Sequence, residues 1–346
     1  METVKYLFGG YLMSSFELPK GYEDLEISTQ IIIRDAIHRK MEVEIIDRGE
    51  NFLRLKQGNH VEFIKEASKT RLDSLMSYLV MENKIASKLI LSEKKIRVPI
   101  GKNYSNLQSA LGDFKIFEDK KKVIKPVTTN FGIGIGISPI GDSFENFKIF
   151  VERALSYSSS IIIEEFIEGP EYRFLVLGDE VVAVCNRVPA NVTGDGKSTI
   201  SDLIARKNDD PRRGEGHKTA LEKIQMSEIE KEVLQSQGFN FDSVIPSGRI
   251  AYLRKNSNIS TGGDSVDYTD TVHPDFKKIA LDSARAAGAT ICGVDIISSE
   301  IEKKPDPNTF AVLEINFNPV LYIHEFPYKG TPRSVGSKIL DLLGFN

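Results

Sequence analysis

The sequence predicts a mixed α/β protein of α+β character, in which a small N-terminal α/β unit precedes two α+β units. Three observations carry that prediction. The hydrophobic period switches from helical spacing over 25–37 to strand alternation in Glu42-Val43-Glu44-Ile45-Ile46-Asp47. A strand, glycine-rich loop, helix, strand order follows over 120–166, unlike the repeated βαβ pattern of a parallel sheet. Two apolar stretches near the C-terminus, 291–297 and 310–316, carry isolated polar residues and precede a helical run over 335–343.

Taken in order, 74–93 reads as one helix that ends near Val98-Pro99, because a residue before proline is pushed out of the helical region. The first boundary falls ahead of it, giving an N-terminal unit over 1–84. The second unit, 85–170, opens on the short buried strand Val123-Ile124-Lys125, which runs into a glycine-rich loop over 128–136. A helix-like run over 144–156 and a strand over 160–166 complete it, and Ile167-Glu168-Gly169-Pro170 marks the exit. The third unit, 171–346, begins with strands over 172–177 and 181–186 that turn at Gly178-Asp179. Polar sequence over 191–213 and a helix-like run over 221–237 precede a strand over 248–253, so 191–247 reads as an insertion beside a site. No internal repeat stands out.

Composition excludes several roles. The 346 residues are 40% hydrophobic, and Lys+Arg 45 against Asp+Glu 49 removes the electrostatic argument for nucleic-acid or membrane-surface binding. No apolar run approaches the roughly 20 residues that cross a bilayer. Cys185 and Cys292 have no CxxC spacing, which argues against a disulfide framework or a zinc site. The first ten residues lack the basic flank and apolar stretch of a secretory signal, so a cytoplasmic protein is expected.

Four stretches carry chemistry. Lys125 stands at a strand end directly before Thr128, Thr129, Gly132, Gly134 and Gly136, where glycines let backbone N–H groups reach phosphate oxygens and the threonine hydroxyls add donors. It is not a Walker A loop, since the lysine precedes the glycines, and read alone the stretch is equally a hairpin turn. Asp295 lies on one apolar strand and Glu314 and Asn316 on one face of another, an order that lets three oxygen ligands converge; a carboxylate buried there needs a cation or a partner, and Mg²⁺ prefers oxygen ligands and phosphates, the alternative being carboxylates on a solvated strand face. In Glu164-Glu165-Phe166-Ile167-Glu168-Gly169-Pro170-Glu171 a buried strand exits into an acidic linker, where exposed backbone suits an adenine edge and a carboxylate suits ribose hydroxyls; read alone it is equally an acidic loop. The run 256–264, rich in Ser, Asn and Gly, suits an anion or a plain turn.

In this order Lys88, Lys125 with its loop, Glu164 to Ile167, Glu171, Asp295 and Glu314-x-Asn316 resemble the ATP-grasp superfamily. Its members clamp ATP between two α+β subdomains and join a carboxylate to an amine through an acylphosphate. More narrowly, Leu18-Pro19-x-Gly21-Tyr22-Glu23, Asn51-Phe52-x-Arg54-Leu55, Lys125-Pro126-x-x-Thr129-Asn130-Phe131-Gly132, Arg187-Val188-Pro189-Ala190-Asn191-Val192, 256–265 and Glu314-Ile315-Asn316-Phe317-Asn318-Pro319 resemble the C-terminal half of the bifunctional glutamate–cysteine ligase/glutathione synthetase family. The resemblance runs from about Leu18 onwards. Cyanophycin synthetases share an Arg-Val-Pro-Ala stretch, a turn like Gly194-Asp195-Gly196 and a Ser-Thr-Gly-Gly loop, so family and substrate are separate questions. Bifunctional members carry a ligase domain ahead of this region, whereas this sequence opens at Met1 with a short lead. The expectation is a stand-alone synthetase fed by a separate glutamate–cysteine ligase, or a module that has moved to another acid and amine.

The resemblance implies an ATP-grasp fold, with 85–170 as the lid and 171–346 as the catalytic subdomain. It implies that Lys88 and Lys125 hold phosphates, that Glu164, Glu165, Ile167 and Glu171 hold adenine and ribose, and that Thr129, Gly132 and Gly134 belong to a loop closing over ATP. Asp295, Glu314 and Asn316 would bind two Mg²⁺ ions, with Mn²⁺ as a substitute. Arg254 and backbone N–H groups near Gly262 would stabilise an oxyanion, while Arg187 or Arg254 would grip a substrate carboxylate. The implied reaction is ligation of γ-glutamylcysteine with glycine. The alternatives are another ATP-grasp carboxylate–amine ligase or a non-catalytic ATP-binding module, and retention of Lys125, Asp295, Glu314 and Asn316 speaks against the latter.

Overall fold

The computed structural model describes residues 20–128, 133–216 and 218–346. It opens on helix α1 (Ile27–His38), in which Ile31, Ile32 and Ile33 all lack exposure, so the helix is covered on more than one side. Strands β1 (Glu42–Asp47), β2 (Phe52–Gln57) and β3 (His60–Lys65) follow as an antiparallel meander. The β2–β3 hairpin, closed at Gly58, was not part of the sequence-based expectation, because in β3 the charged Glu62 faces inward and the apolar Val61 and Phe63 face outward, against the usual alternation.

The single helix expected over 74–93 is two, α2 (Leu75–Glu82) and α3 (Lys84–Glu93). Asn83 separates them: its backbone is extended, and its side chain accepts hydrogen bonds from the N–H groups of Ile85 and Ala86, starting a new helix where periodicity alone sees continuity. The chain then forms β4 (Gly101–Tyr104), α4 (Leu107–Gly112), α5 (Phe114–Phe117), β5 (Lys122–Pro126), β6 (Gly136–Ser138), α6 (Phe144–Tyr157) and β7 (Ile161–Glu165). These four strands make one antiparallel sheet in the order β4-β7-β5-β6. Strand alternation sends Ile124, Ile161 and Ile163 into a core with Phe147 and Val151 of α6, leaving Lys125 and Glu164 on the other face.

The central sheet has the order β14-β9-β8-β15-β16, from β8 (Glu171–Leu177), β9 (Glu180–Val188), β14 (Asp264–Asp267), β15 (Ile291–Ser298) and β16 (Phe310–Asn316), all antiparallel. One face, with Leu175, Leu177 and Ile291, packs on α1 and the terminal helix α11 (Val335–Leu342). The other, with Phe174, Val176 and Val294, packs on α9 (Pro274–Ala286). Period-2 alternation therefore puts Arg173, Gly293 and Asp295 on the face that looks towards the N-terminal unit.

Between β9 and β14 lies a subsidiary core of β10 (Asn191–Thr193), α7 (Ile200–Asn208), the short parallel pair β11 (Arg213–Gly214) and β12 (Leu221–Glu222), α8 (Glu228–Gln235) and β13 (Ile250–Tyr252). The polar stretch 191–213 contains α7, started by a Thr199–Asp202 capping box, and the helix expected over 221–237 shortens to α8 because the Ser227–Glu230 box sets its start. The short helix α10 (Tyr322–Glu325) joins the central sheet to α11. Among the described residues no helix is long and apolar enough to cross a membrane.

Candidate active site

On α3, Lys84 and Lys88 are one turn apart and share a face. Lys88 meets Glu164 of β7, and Lys125 Nζ lies 2.7 Å from the other oxygen of the same carboxylate. Glu164 is 3% exposed. Burial, aided by the charge of Lys125, pushes the Lys88 ammonium down to about 8. Burial opposes the charge of Lys125 too, but Glu164 and the field of Glu314 outweigh it and hold that lysine above its usual range. Within the protein, Glu164 is the counter-ion that keeps two buried lysines side by side. The sequence reading did not single out Lys84, although its spacing from Lys88 signals it. It donates to the Val127 carbonyl at 3.4 Å, and its charge reaches Glu314.

Asp295 on β15 is opposite Glu314 of β16, and Gly293 opposite Asn316, so the expected trio converges. Asp295 has no exposed surface, yet it is not bare. Arg173 lies opposite it on β8 and grips both oxygens, through Nε and through Nη2 at 2.8 Å. Arg187 Nη2 donates to Oδ2 at 2.8 Å, and Asn316 Nδ2 donates to the same oxygen at 3.3 Å. Burial works against the Asp295 charge, but Arg173 and Arg187 hold its carboxyl down to about 2. Glu314 behaves oppositely: burial first, then the neighbouring Asp295, raise it above the usual carboxylate range. Asp295, Glu314 and Asn316, side by side on adjoining strands, are an oxygen-rich donor set of the kind a hard divalent cation takes. Among the described residues no three His, Cys, Asp or Glu side chains group as a metal site; this set is two carboxylates and an amide.

Arg173 was missed, although a single arginine inside the otherwise apolar 172–177 is a signal. It fits because Gly293 has no side chain: a Cβ there would come 2.6 Å from Arg173 Cδ.

Glu165 accepts from the Ile100 N–H at 2.7 Å and pairs with Arg97 at 2.7 Å, while Ile167 lies beyond the last residue of β7. Glu171 is engaged by Arg187 and by the Ser257 hydroxyl. Arg187 thereby bridges Glu171 and Asp295, and its Nε is buried without a hydrogen-bond partner. Gly134 turns with φ +77° beside Pro126 and Tyr157, whereas Thr129 and Gly132 lie outside the described residues, as do Leu18 and Pro19.

Two groups expected to be catalytic have partners within the protein. Arg254 pairs with Glu230, the fully buried capping residue of α8, and so ties the insertion together. The Gly262 N–H is spent on the Ile259 carbonyl at 3.1 Å, which corrects the expectation of a free oxyanion donor at that position. Its carbonyl accepts from Arg213 Nη1 at 3.1 Å, and Arg213 also pairs with Asp264, which Lys207 meets at 2.6 Å. Gly262 has φ +90°, and a Cβ would come 2.9 Å from Ile224 Cα, so this loop is clamped to the insertion by shape as well as by charge.

The sequence model of an ATP-grasp-like domain matches residues 23–76. The chain is 52% identical over 343 residues to "Glutathione biosynthesis bifunctional protein GshAB" of Clostridium perfringens (strain 13 / Type A), covering 99% of this chain and 44% of that protein. The protein of the same name from Listeria monocytogenes serotype 4b (strain F2365) is 49% identical over 93% of this chain and 42% of its own length. The chain is an ATP-grasp protein. Its ATP-grasp fold also resembles the crystal structure of a bifunctional glutathione synthetase from Pasteurella multocida, with TM-score 0.76 and 40% identity over 94% of this chain and 45% of that one. The chain thus spans under half the length of the relatives it matches.

Proposed function

We propose that this ATP-grasp chain ligates γ-glutamylcysteine to glycine, using ATP and Mg²⁺ and passing through an acylphosphate: the glutathione synthetase reaction. The observation that carries the proposal is that α3, which carries Lys84 and Lys88, packs against β16, which carries Glu314 beside Asp295, so that Lys84 and Lys125 both act on that buried carboxylate. In this reading the phosphate-binding cations and the metal-binding oxygens share one nucleotide. The relatives are named for glutathione biosynthesis, and γ-glutamylcysteine and glycine are the acid and amine that the resemblance implies.

In this reading 1–84, 85–170 and 171–346 are the N-terminal unit, lid and catalytic subdomain. Lys88 and Lys125 bind phosphate oxygens, with Glu164 setting their spacing. Glu165 and Ile167 meet adenine and Glu171 the ribose, while the loop holding Thr129, Gly132 and Gly134 excludes water from the acylphosphate. Asp295, Glu314 and Asn316 would hold two Mg²⁺ ions, which when bound supply charge neutralisation between the phosphates and the attacking carboxylate. Of the two arginines, Arg187 is the one beside this set and grips the acid, whereas Arg254 supports the insertion. A glutamate–cysteine ligase would supply the acid. Two buried cysteines with free thiols are in keeping with a cytoplasmic protein.

The test is ADP release from Mg–ATP and γ-glutamylcysteine, with and without glycine, with the product weighed by mass spectrometry. Glycine-dependent ADP and a product of glutathione's mass are expected. Turnover only with another acid and amine would discard the substrates, and no turnover with any pair would discard the ligase.

A further inference from the structure

Asp295 Oδ2 is over-subscribed. A carboxylate offers about four lone-pair sites, about two on each oxygen, yet Arg173 Nη2, Arg187 Nη2 and Asn316 Nδ2 all aim at Oδ2, while Oδ1 takes Arg173 Nε. A divalent cation that takes Oδ2 as a ligand must displace a donor. The structure ranks them.

Arg173 is the least able to leave, since it holds both oxygens from the register-opposite position and its stem fills the space over Gly293. Asn316 is the easiest: its amide nitrogen makes only 3.3 Å contacts, to Asp295 and to Glu314, and as a ligand it must turn its oxygen inward, which withdraws those donors. Arg187 is the remaining competitor. It has a second carboxylate, Glu171, on which its guanidinium rests, and a buried Nε that nothing satisfies. Like-charge repulsion at a shared oxygen pushes out the cation that has somewhere else to go.

We infer that Arg187 is kept in reserve by Asp295 and Glu171, and that arrival of the metal–nucleotide frees its guanidinium to take a carboxylate of the acid substrate. This rests on the ligase reading and deepens it. A planar fork with an unused Nε edge suits bidentate capture of a carboxylate. Acid binding is then conditional on metal, and linkage makes the coupling reciprocal: the acid strengthens metal binding by the factor by which metal strengthens acid binding.

The experiment is calorimetric titration of the full chain with γ-glutamylcysteine in three states: alone, with ADP and a chelator, and with Mg–ADP. The acid should bind at least about tenfold tighter in the third state only, about 1.4 kcal/mol of coupling. Mn²⁺ affinity in the presence of ADP, read by electron paramagnetic resonance, should rise by the same factor when the acid is added. Arg187→Lys should lose the coupling yet bind Mn²⁺–ADP no more weakly than wild type, because a competitor has been removed. Should that variant fail to fold, Asp295→Asn frees Arg187 without metal, and its acid affinity with ADP alone should match that of wild type with Mg–ADP. Equal acid affinity with and without Mg²⁺ overturns the inference and leaves the ligase intact. Coupling retained in Arg187→Lys, weaker Mn²⁺–ADP binding by it, or weak metal-free acid binding by Asp295→Asn does the same. Acid binding in no state, with Mn²⁺–ADP still bound, overturns the substrate reading and this inference with it.

Discussion

Lys88 titrates near about 8 because burial and Lys125 oppose its charge, so its hold on phosphate should depend on pH. In the presence of a chelator, ADP affinity should fall from about pH 7 to about pH 9 as the free protein loses that proton, and Lys88→Arg, which stays charged, should flatten the profile. A pH-independent affinity in wild type would remove Lys88 from the phosphate site. The stability effect has the opposite sense. Between the folded value and the ordinary lysine value the unfolded chain holds the extra proton, so this group makes the fold more stable as pH rises. Glu164 is the residue both lysines need. Glu164→Gln leaves buried cations without their counter-ion and should cost about 3 kcal/mol in urea unfolding, with weaker ADP binding; a loss within error of zero would show that solvent already screens the pair.

At the scale of elements, the break at Asn83 matters because α3 carries Lys84 and Lys88. Asn83→Ala removes the cap that starts α3, and should cost about 1 kcal/mol and weaken nucleotide binding. Unaltered ADP affinity at that stability loss would mean that the lysines do not depend on where the helix begins. The β8–β15 pair poses a similar dependence. Gly293→Val would place side-chain atoms where Arg173 now runs, displacing the guanidinium from Asp295. The expected result is a lower melting temperature with a larger proportional loss of Mn²⁺–ADP affinity; equal affinity per folded molecule would reduce Arg173 to a structural pair. Several elements were legible in sequence because their apolar period is strong: α1, β5, β7, β15 and β16 all stand close to the expected positions. The β2–β3 hairpin, α7 and α9 were not: in β3 Glu62 is buried while Val61 and Phe63 face outward, and in the two helices charged residues dominate the outward face while only a few side chains reach a core.

Across the whole molecule, the central sheet separates two cores while its site face carries charge between them. His324 records the cost of that arrangement. Burial, with the positive field of Arg173 added, pushes it down to about 3, and its Nε2 has no partner. The unfolded chain binds this proton at its ordinary value and the folded one does not, so stability should be lost progressively as pH falls from about 6.5 towards about 3. Melting temperatures of wild type and His324→Asn across that window test it; parallel curves would assign acid sensitivity to the carboxylates instead. The insertion has its own core, closed by the buried Arg254–Glu230 pair.

The sequence by itself determined the residue types that chemistry needs and the faces they occupy. A lysine before a glycine loop, and carboxylate and amide at i and i+2 on a strand, follow from the order of residues and the two-residue strand period. It also determined the family, because those motifs recur in one order. Only the tertiary structure decided partners. That Glu164 serves two lysines, that Arg173 and Arg187 occupy Asp295, that Arg254 belongs to Glu230 and that the Gly262 N–H is spent are outcomes of strand register and packing between distant segments. A charged residue in sequence has many eligible counter-ions; burial leaves it only the one within reach, because an unpaired charge in a low-dielectric interior costs more than the fold can supply.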